Sequence, residues 1–534
     1  MAIDSEFRRS LILGGLAFGS LSLFYFTTLV LNQGGAPVIS PERPINPTEP
    51  RRLPFGTKSP YAHARAQQAL TANPVGEHCQ LRQIQMLFRH GTRNPNQHGA
   101  ESGDELLAKL QAHWKTQPEP QGPQGDWAWL NTYQPSYPTG VSALTTQGRR
   151  DLDLLARRVF HRYANLWPQM YASTEDTPWV WRATSSDYNR TVESATIFQH
   201  RLFDLIRGAT KVDPLFRDDY VFDMLRHKSD SLLDMDGKCP RYDTALASGP
   251  IASYLAEQRQ LLEEHSMVDM KKRLGDILAY PDITADEVHR IYRMCSYENA
   301  SPRPGHTLCS LFEGHEADLD ILDYWSDLED VLAYGYGSVG PNGVAPYAGC
   351  ALFTQLMDDM RLCQDHEADH TMGRRHPHNE EGSPTPNSLD QVCPRVRFWF
   401  GHSAGIMLLN RILRLNQGDP DLTGDKPLSF IQSRLFKSSE MAPFASNFAF
   451  ELYECEGTDQ SPAVSHDHVH RDRVRRHGES SGSGDYYFRV LHNEEIVVPQ
   501  IEGCDSNSGL CHYARFINAI GDIYQCDAKK HCKD

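Results

Sequence analysis

The chain has 534 residues, enough for one large or two moderate domains with a well-buried core. At 40% hydrophobic and 23% charged it has the composition of a folded globular protein rather than a disordered one. The formal net charge of −16 argues against a nucleic-acid partner and confines any anion site to a compact cluster of cations.

From Leu11 to Leu31 no residue is charged, and at the helical rise this run spans about 30 Å, the depth of a bilayer core. Arg8 and Arg9 precede it and the next charge is Glu42, so residues 1–10 read as a cytoplasmic tail and everything after Leu31 as luminal. The expectation is a transmembrane signal anchor at 11–31 in a single-pass type II membrane protein of the secretory pathway. A cleaved signal peptide ending at Gly34-Gly35-Ala36 and a buried globular helix are the alternatives. Residues 32–74, of which 33–60 are rich in Pro and polar residues, read as a luminal stalk, with folded structure beginning near Tyr61 or Val75. All 12 cysteines lie after the apolar run, which suits disulfides. Local candidate pairs are Cys295–Cys309, Cys504–Cys511 and Cys526–Cys532, and without tight C-x-x-C pairs zinc is disfavoured.

Three strand-like runs each deliver a polar motif. Ile84–Phe88 leads into Arg89-His90-Gly91, Trp179–Trp181 into Arg182-Ala183-Thr184, and Val396–Phe400 into Gly401-His402. Between the first two, Thr145-Thr146 opens a helix with Leu152, Leu155, Val159, Tyr163 and Leu166 on one face, and another helix follows His402. Strand, motif and helix recur, which predicts an α/β architecture with ligands at the strand ends. Residues 201–335 read as helical without clear strands, notably at Ile251–Glu264 and Trp325–Leu332. The segments 364–390 and 457–484 read as polar surface loops, and Phe448–Tyr453, Tyr486–Leu491 and Ile496–Val498 as late strands, the last two forming a hairpin. His466, His468, His470 and His477 fall in the second loop, where a solvated stretch is a simpler reading than a metal site.

The motif Arg89-His90-Gly91-Thr92-Arg93-Asn94-Pro95 carries the chemistry. A neutral imidazole attacks phosphorus well, and arginine forks neutralise the equatorial phosphate oxygens. Gly91 would let the backbone approach closely. A solvated basic loop is the bland alternative. These residues resemble the R-H-G-x-R-x-P signature of the histidine acid phosphatases, and Thr92 fits that branch better than the mutases. The stretch Asp187-Tyr188-Asn189-Arg190-Thr191 is similar to the family's downstream R-T segment, which implies that Arg190 joins Arg89 and Arg93 on the phosphate; Asn189-Arg190-Thr191 is also a formal glycosylation sequon. Met294–Ala300, Leu308–Phe312, Gly335-Tyr336-Gly337 and Pro443–Asn447 narrow the resemblance to the multiple inositol polyphosphate phosphatases.

The resemblance implies a histidine phosphatase fold: a central mixed sheet flanked by helices, formed by 75–200 and 336–534, with an inserted helical domain at 201–335. It also implies hydrolysis of inositol polyphosphates or similar small phosphates with His90 as nucleophile. Arg89, Arg93, Arg190 and His402 would bind the phosphate, and neither metal nor other cofactor is expected. Where the family reads H-A-E, this chain reads His402-Ser403-Ala404, so the glutamate that protonates the leaving alcohol is replaced by Ala404. A positioned acid contributes about 10²–10⁴-fold. Glu440 or Asp187 are the candidate substitutes, a water or a neighbouring phosphate of the substrate is a second proton source, and a slow enzyme or a pseudophosphatase that binds phosphorylated ligands with little turnover is the rival reading. A Golgi sugar-phosphate phosphatase is the alternative within the same enzyme class.

Overall fold

Strand β1 runs Cys79–Arg89, β2 Trp181–Ser186, β3 Tyr220–Leu225, β4 Val396–Gly401, β5 Asn447–Cys455, β6 Asp485–His492, β7 Glu495–Val497 and β8 Leu510–His512. The helices that matter to the site are α1 Gln97–Trp114, α2 Thr146–Arg162, α3 Asn189–Thr210, α4 Ala285–Ala300, α5 Glu316–Tyr334, α6 Cys350–Thr371 and α7 Ser403–Ile412. The computed structural model describes residues 54–61, 75–76, 78–137, 139–168, 181–210, 220–225, 232–234, 239–300, 305–341, 343–371, 393–456 and 485–533.

The sheet order is β3-β2-β4-β1-β5-β6-β7, with β8 pairing β6. Strands β3, β2, β4 and β1 are parallel, while β5 and β6 return antiparallel, so the sheet is mixed. Parallel strands need long crossovers, and α2 and α3 are part of those connections. Side chains of β1 alternate between faces. Ile84, Met86 and Phe88 join Phe398 and Phe400 of β4 and the apolar faces of α2 and α3 in one core. On the other face Leu87 and Trp399 pack into a larger core with α5, α6 and α7. There Gln83 donates to the carbonyls of Asp359 and Pro394, and Gln85 to that of Leu356, so buried amides on β1 are spent on the backbone of α6 and the loop before β4.

Thr145 caps α2 by accepting from the Gly148 amide, as the Thr145-Thr146 signal requires. The β6–β7 hairpin turns through Asn493 and Glu494, both with positive φ (49° and 70°), the left-handed pair a two-residue hairpin needs.

Four expectations are corrected. First, β3 lies inside the stretch expected to hold only helices. Its run pairs in register with β2, from Trp181–Tyr220 to Ser186–Leu225, so the sheet extends to Leu225. Second, β2 begins at Trp181 and includes Arg182-Ala183-Thr184, which are strand residues rather than the motif after one; residues 179 and 180 lie outside the described residues.

Third, residues 54–61 are not part of a stalk. Phe55 is fully buried against Tyr292 (ring centroids 5.4 Å apart), a burial that contributes about 1.5–3 kcal/mol. The Gly56 amide donates to Asp323, the Tyr292 hydroxyl to the Pro54 carbonyl, and Asn447 to the Tyr61 hydroxyl. Fourth, all 12 cysteines are paired, but Cys526 bonds to Cys350 and Cys532 to Cys239. A short helix at Ala528–His531 separates the two sulfurs and turns them toward different elements. The pairs Cys295–Cys309 and Cys504–Cys511 are as expected, and Cys79–Cys455 and Cys363–Cys393 complete the set.

The apolar run 11–31, residues 372–390 of the expected 364–390 loop and the His-rich 457–484 stretch lie outside the described residues, whereas residues 364–371, expected as loop, continue helix α6. Among the described residues no helix is long and apolar enough to cross a membrane.

Candidate functional site

The site assembles where β1, β4 and β2 end side by side. Arg89 at the end of β1 pairs with Gly401 at the end of β4, so the next residues, His90 and His402, become neighbours with ring centroids 5.6 Å apart. The His90 amide donates to the Gly401 carbonyl (3.1 Å), which fixes the loop to the strand beside it. Strand β2 lies on the far side of β4, and the helix it feeds, α3, starts with Asn189-Arg190. The Ser186 hydroxyl is 3.0 Å from His402 Nε2, and an Arg190 guanidinium nitrogen is 3.5 Å from His402 Nδ1. The predicted residues Arg89, His90, Arg190 and His402 are therefore brought together, and Arg93 joins them from the loop after His90.

The Arg89–Pro95 loop is held by close backbone approach. A Cβ on Gly91 would lie 2.4 Å from the Gly148 carbonyl oxygen, and one on Gly148 would lie 2.0 Å from that of Thr92. Thr92 is fully buried and donates its hydroxyl to Asp151 on α2 (2.6 Å). The Gly91 amide donates to the Ser194 hydroxyl on α3 (3.2 Å). Two helices thus clamp the loop from opposite partners.

His90 is 3% exposed. Its Nδ1 lies 2.9 Å from the Gly91 carbonyl, an acceptor only, so Nδ1 carries the proton and Nε2 presents a lone pair. Burial first, then Arg89, Arg93, His402 and Arg190, holds this imidazole well below its ordinary 6.5.

The arginines are unsaturated in hydrogen bonds. Arg89 donates to the carbonyls of Thr57 and Ala442 and lies 4.6 Å from the Phe444 ring centre. Arg93 donates to the Asn94 carbonyl (2.8 Å), and the Arg190 guanidinium lies 4.4 Å from the Tyr188 ring. The Nε atoms of Arg89, Arg93 and Arg190 are all buried without a hydrogen-bond partner. Burial and the neighbouring Arg93 lower Arg89 to about 9 and Arg190 to about 10. Crowded, desolvated guanidiniums with orphan donors form a site built for an anion.

Sequence reasoning missed a second set of cations. Lys58, in the segment read as stalk, is electrostatically coupled to Arg89, Arg293, Tyr297 and Asp330. Arg293 and Tyr297 sit four residues apart on α4 and share a face. The signals available were the aromatic and Lys-bearing Phe55-Gly56-Thr57-Lys58 interrupting the polar stretch, and the one-turn spacing of Arg293 and Tyr297.

Ala404 occupies the first turn of α7 beside His402. Glu440 turns to Lys437 (3.4 Å) with its side chain 41% exposed, and Asp187 is exposed in the β2–α3 turn. Among the described residues no group of His, Cys, Asp and Glu is arranged to hold a metal ion.

Residues 80–493 match the histidine phosphatase superfamily (branch 2). The chain is 24% identical over 492 residues to multiple inositol polyphosphate phosphatase 1 of Gallus gallus, covering 90% of this chain and 92% of that one. It is equally 24% identical over 492 residues to phytase A of Penicillium oxalicum, covering 88% and 91%. Among solved structures, the multiple inositol polyphosphate phosphatase of Bifidobacterium longum in complex with inositol hexasulfate aligns with a TM-score of 0.60 at 14% identity, over 87% of this chain and 97% of that one. That likeness concerns the fold.

Proposed function

The chain belongs to branch 2 of the histidine phosphatase superfamily, and we propose that it hydrolyses phosphomonoesters of inositol polyphosphates, or of similar small polyphosphates, through a phosphohistidine on His90. The observation that carries this reading is the unprotonated Nε2 of a buried His90 among three arginines whose Nε donors have no partner in the protein.

A phosphate seated on Arg89, Arg93, Arg190 and His402 fills those orphan donors and sets phosphorus against Nε2. Attack forms the Nε2–P bond and expels the alcohol; water then cleaves the phosphohistidine. The Gly91 carbonyl stabilises the imidazolium character that develops on Nδ1–H. Relatives named for inositol polyphosphates and phytate favour a polyphosphate substrate. So does the surplus of cations, because Lys58 and Arg293 extend the charge beyond what one phosphate requires. Six disulfides suit an oxidising secretory compartment. The anchor at 11–31 rests on the sequence alone.

Ala404 favours one competing reading, a pseudophosphatase that keeps the arginine pocket for binding. Phosphate release from inositol hexakisphosphate across pH 4–8, beside His90→Ala, separates the two. Release that the substitution abolishes supports hydrolysis. Tight binding without release from folded protein supports the binding role and rejects the enzyme.

A further inference from the structure

Tyr297 projects from α4 into the cation cluster. Its side chain is 9% exposed, and among the described residues its hydroxyl has no hydrogen-bond partner. That hydroxyl is not among the polar atoms sealed from solvent without a partner, so it stays accessible from the pocket and free to meet a ligand. The phenol packs with Phe444, whose ring centre lies 6.1 Å from that of His90 and 4.6 Å from the Arg89 guanidinium. The Arg93 guanidinium lies 5.9 Å from the Tyr297 ring centre, and beside the ring opens a small cavity bounded by Pro95, Gly99, Gly103, Arg293 and Met294. Tyr297 therefore lies one side chain, Phe444, away from the nucleophile and beside Arg93, at the edge of a small cavity.

The charged groups facing it come from every surrounding element. They are Arg89 and Arg93 around the end of β1, Lys58 from the N-terminal segment, Arg293 on its own helix and Arg190 on α3. Asp330 on α5 acts on Lys58 and Arg89, but its carboxyl is engaged by the Ser438 hydroxyl. Burial alone would push the phenol up; Arg93, Lys58, Arg293 and Arg89 together bring it below its ordinary 10.0.

Resting on the phosphohydrolase reading above, we propose that Tyr297 donates the proton to the leaving alcohol, in place of the carboxyl that Ala404 cannot supply. In the first step the His90 Nε2–P bond forms, the P–O bond to the alcohol breaks, and the Tyr297 hydroxyl proton passes to the departing oxygen. The phenolate left behind is stabilised by the cations around it. In the second step that phenolate takes a proton from water as the water oxygen bonds to phosphorus and the Nε2–P bond breaks, which regenerates both residues.

The test uses Tyr297→Phe in the full-length protein with two substrates. Inositol hexakisphosphate has an alkoxide leaving group that needs a proton, and 4-nitrophenyl phosphate has one that does not. Turnover of the first should fall about 10²-fold or more while turnover of the second stays within about threefold. Adding Ala404→Glu to Tyr297→Phe should restore much of the inositol hexakisphosphate rate, which a merely structural defect would not allow. Equal losses on both substrates, or no loss on either, overturn the proposal while leaving phosphatase activity established by the wild type. If the wild type hydrolyses neither substrate, the phosphatase reading falls and the Tyr297 role falls with it.

Discussion

Replacing Gly91 with alanine should damage activity far more than a methyl group on a surface loop would. The added Cβ would lie 2.4 Å from the Gly148 carbonyl oxygen and 2.5 Å from Leu152 Cδ2, against an ordinary contact of 3.4 Å, so the loop and α2 must part by about 1 Å. The first contact is with backbone, so no side-chain rotation relieves it. Overpacking of this kind costs about 1–3 kcal/mol of stability. The larger effect falls on chemistry, because the displaced loop carries His90 and Arg93, and a shift of about 1 Å at reacting groups costs about 10²-fold in rate. Steady-state phosphate release and chemical denaturation, measured on the same preparation, separate the two effects. An alanine variant within about threefold of wild-type turnover would refute the claim that the approach of Gly91 to Gly148 positions the nucleophile.

Three other expectations follow from particular contacts. Arg434→Ala strands the buried carboxylates of Asp323 and Asp327, which lie 2.7 and 2.5 Å from its guanidinium, and should cost about 3–5 kcal/mol in denaturant unfolding. A loss under about 1 kcal/mol would mean the pair is dispensable. Buried His492, stacked on Phe448 at 4.4 Å, is lowered by burial to about 4 from 6.5. The unfolded chain binds its proton more readily between those values, so stability falls as pH drops through that window, by about 3 kcal/mol for this group. His492→Phe should flatten that part of the stability–pH curve, and an unchanged slope would contradict the assignment. Arg190→Ala should weaken inorganic phosphate as a competitive inhibitor by about 10-fold or more, since a charged hydrogen bond contributes about 1.5–3 kcal/mol. Unaltered inhibition would remove Arg190 from the phosphate site.

The cluster around His90 was legible because its members are dictated by chemistry and, for Arg89 to Arg93, by adjacency in one short loop. The β1–β4 register then brings His402 beside His90 without any further signal being needed. Residues 54–61 were not legible. Their proline-flanked composition resembles a linker, and their partners Asp323, Tyr292 and Asn447 lie hundreds of positions away. Strand β3 escaped because six residues in a parallel pair give no alternation long enough to stand out. Cys526 and Cys532 misled because nearness in sequence is not nearness of sulfurs when a helical turn intervenes. Tyr297 carries no mark in the sequence beyond its place in the Met294–Ala300 segment, because its distinction is an uncommitted hydroxyl beside Arg93, which a sequence does not record.

The central claim is a phosphoryl group carried on His90. Rapid mixing of the protein with labelled inositol hexakisphosphate, quenching in alkali, and mass analysis of the peptide containing Arg89–Arg93 tests it directly. A base-stable, acid-labile phosphate on His90, formed and consumed as fast as phosphate is released, is the predicted result. Turnover that persists with no such adduct, or that survives His90→Ala, would contradict it.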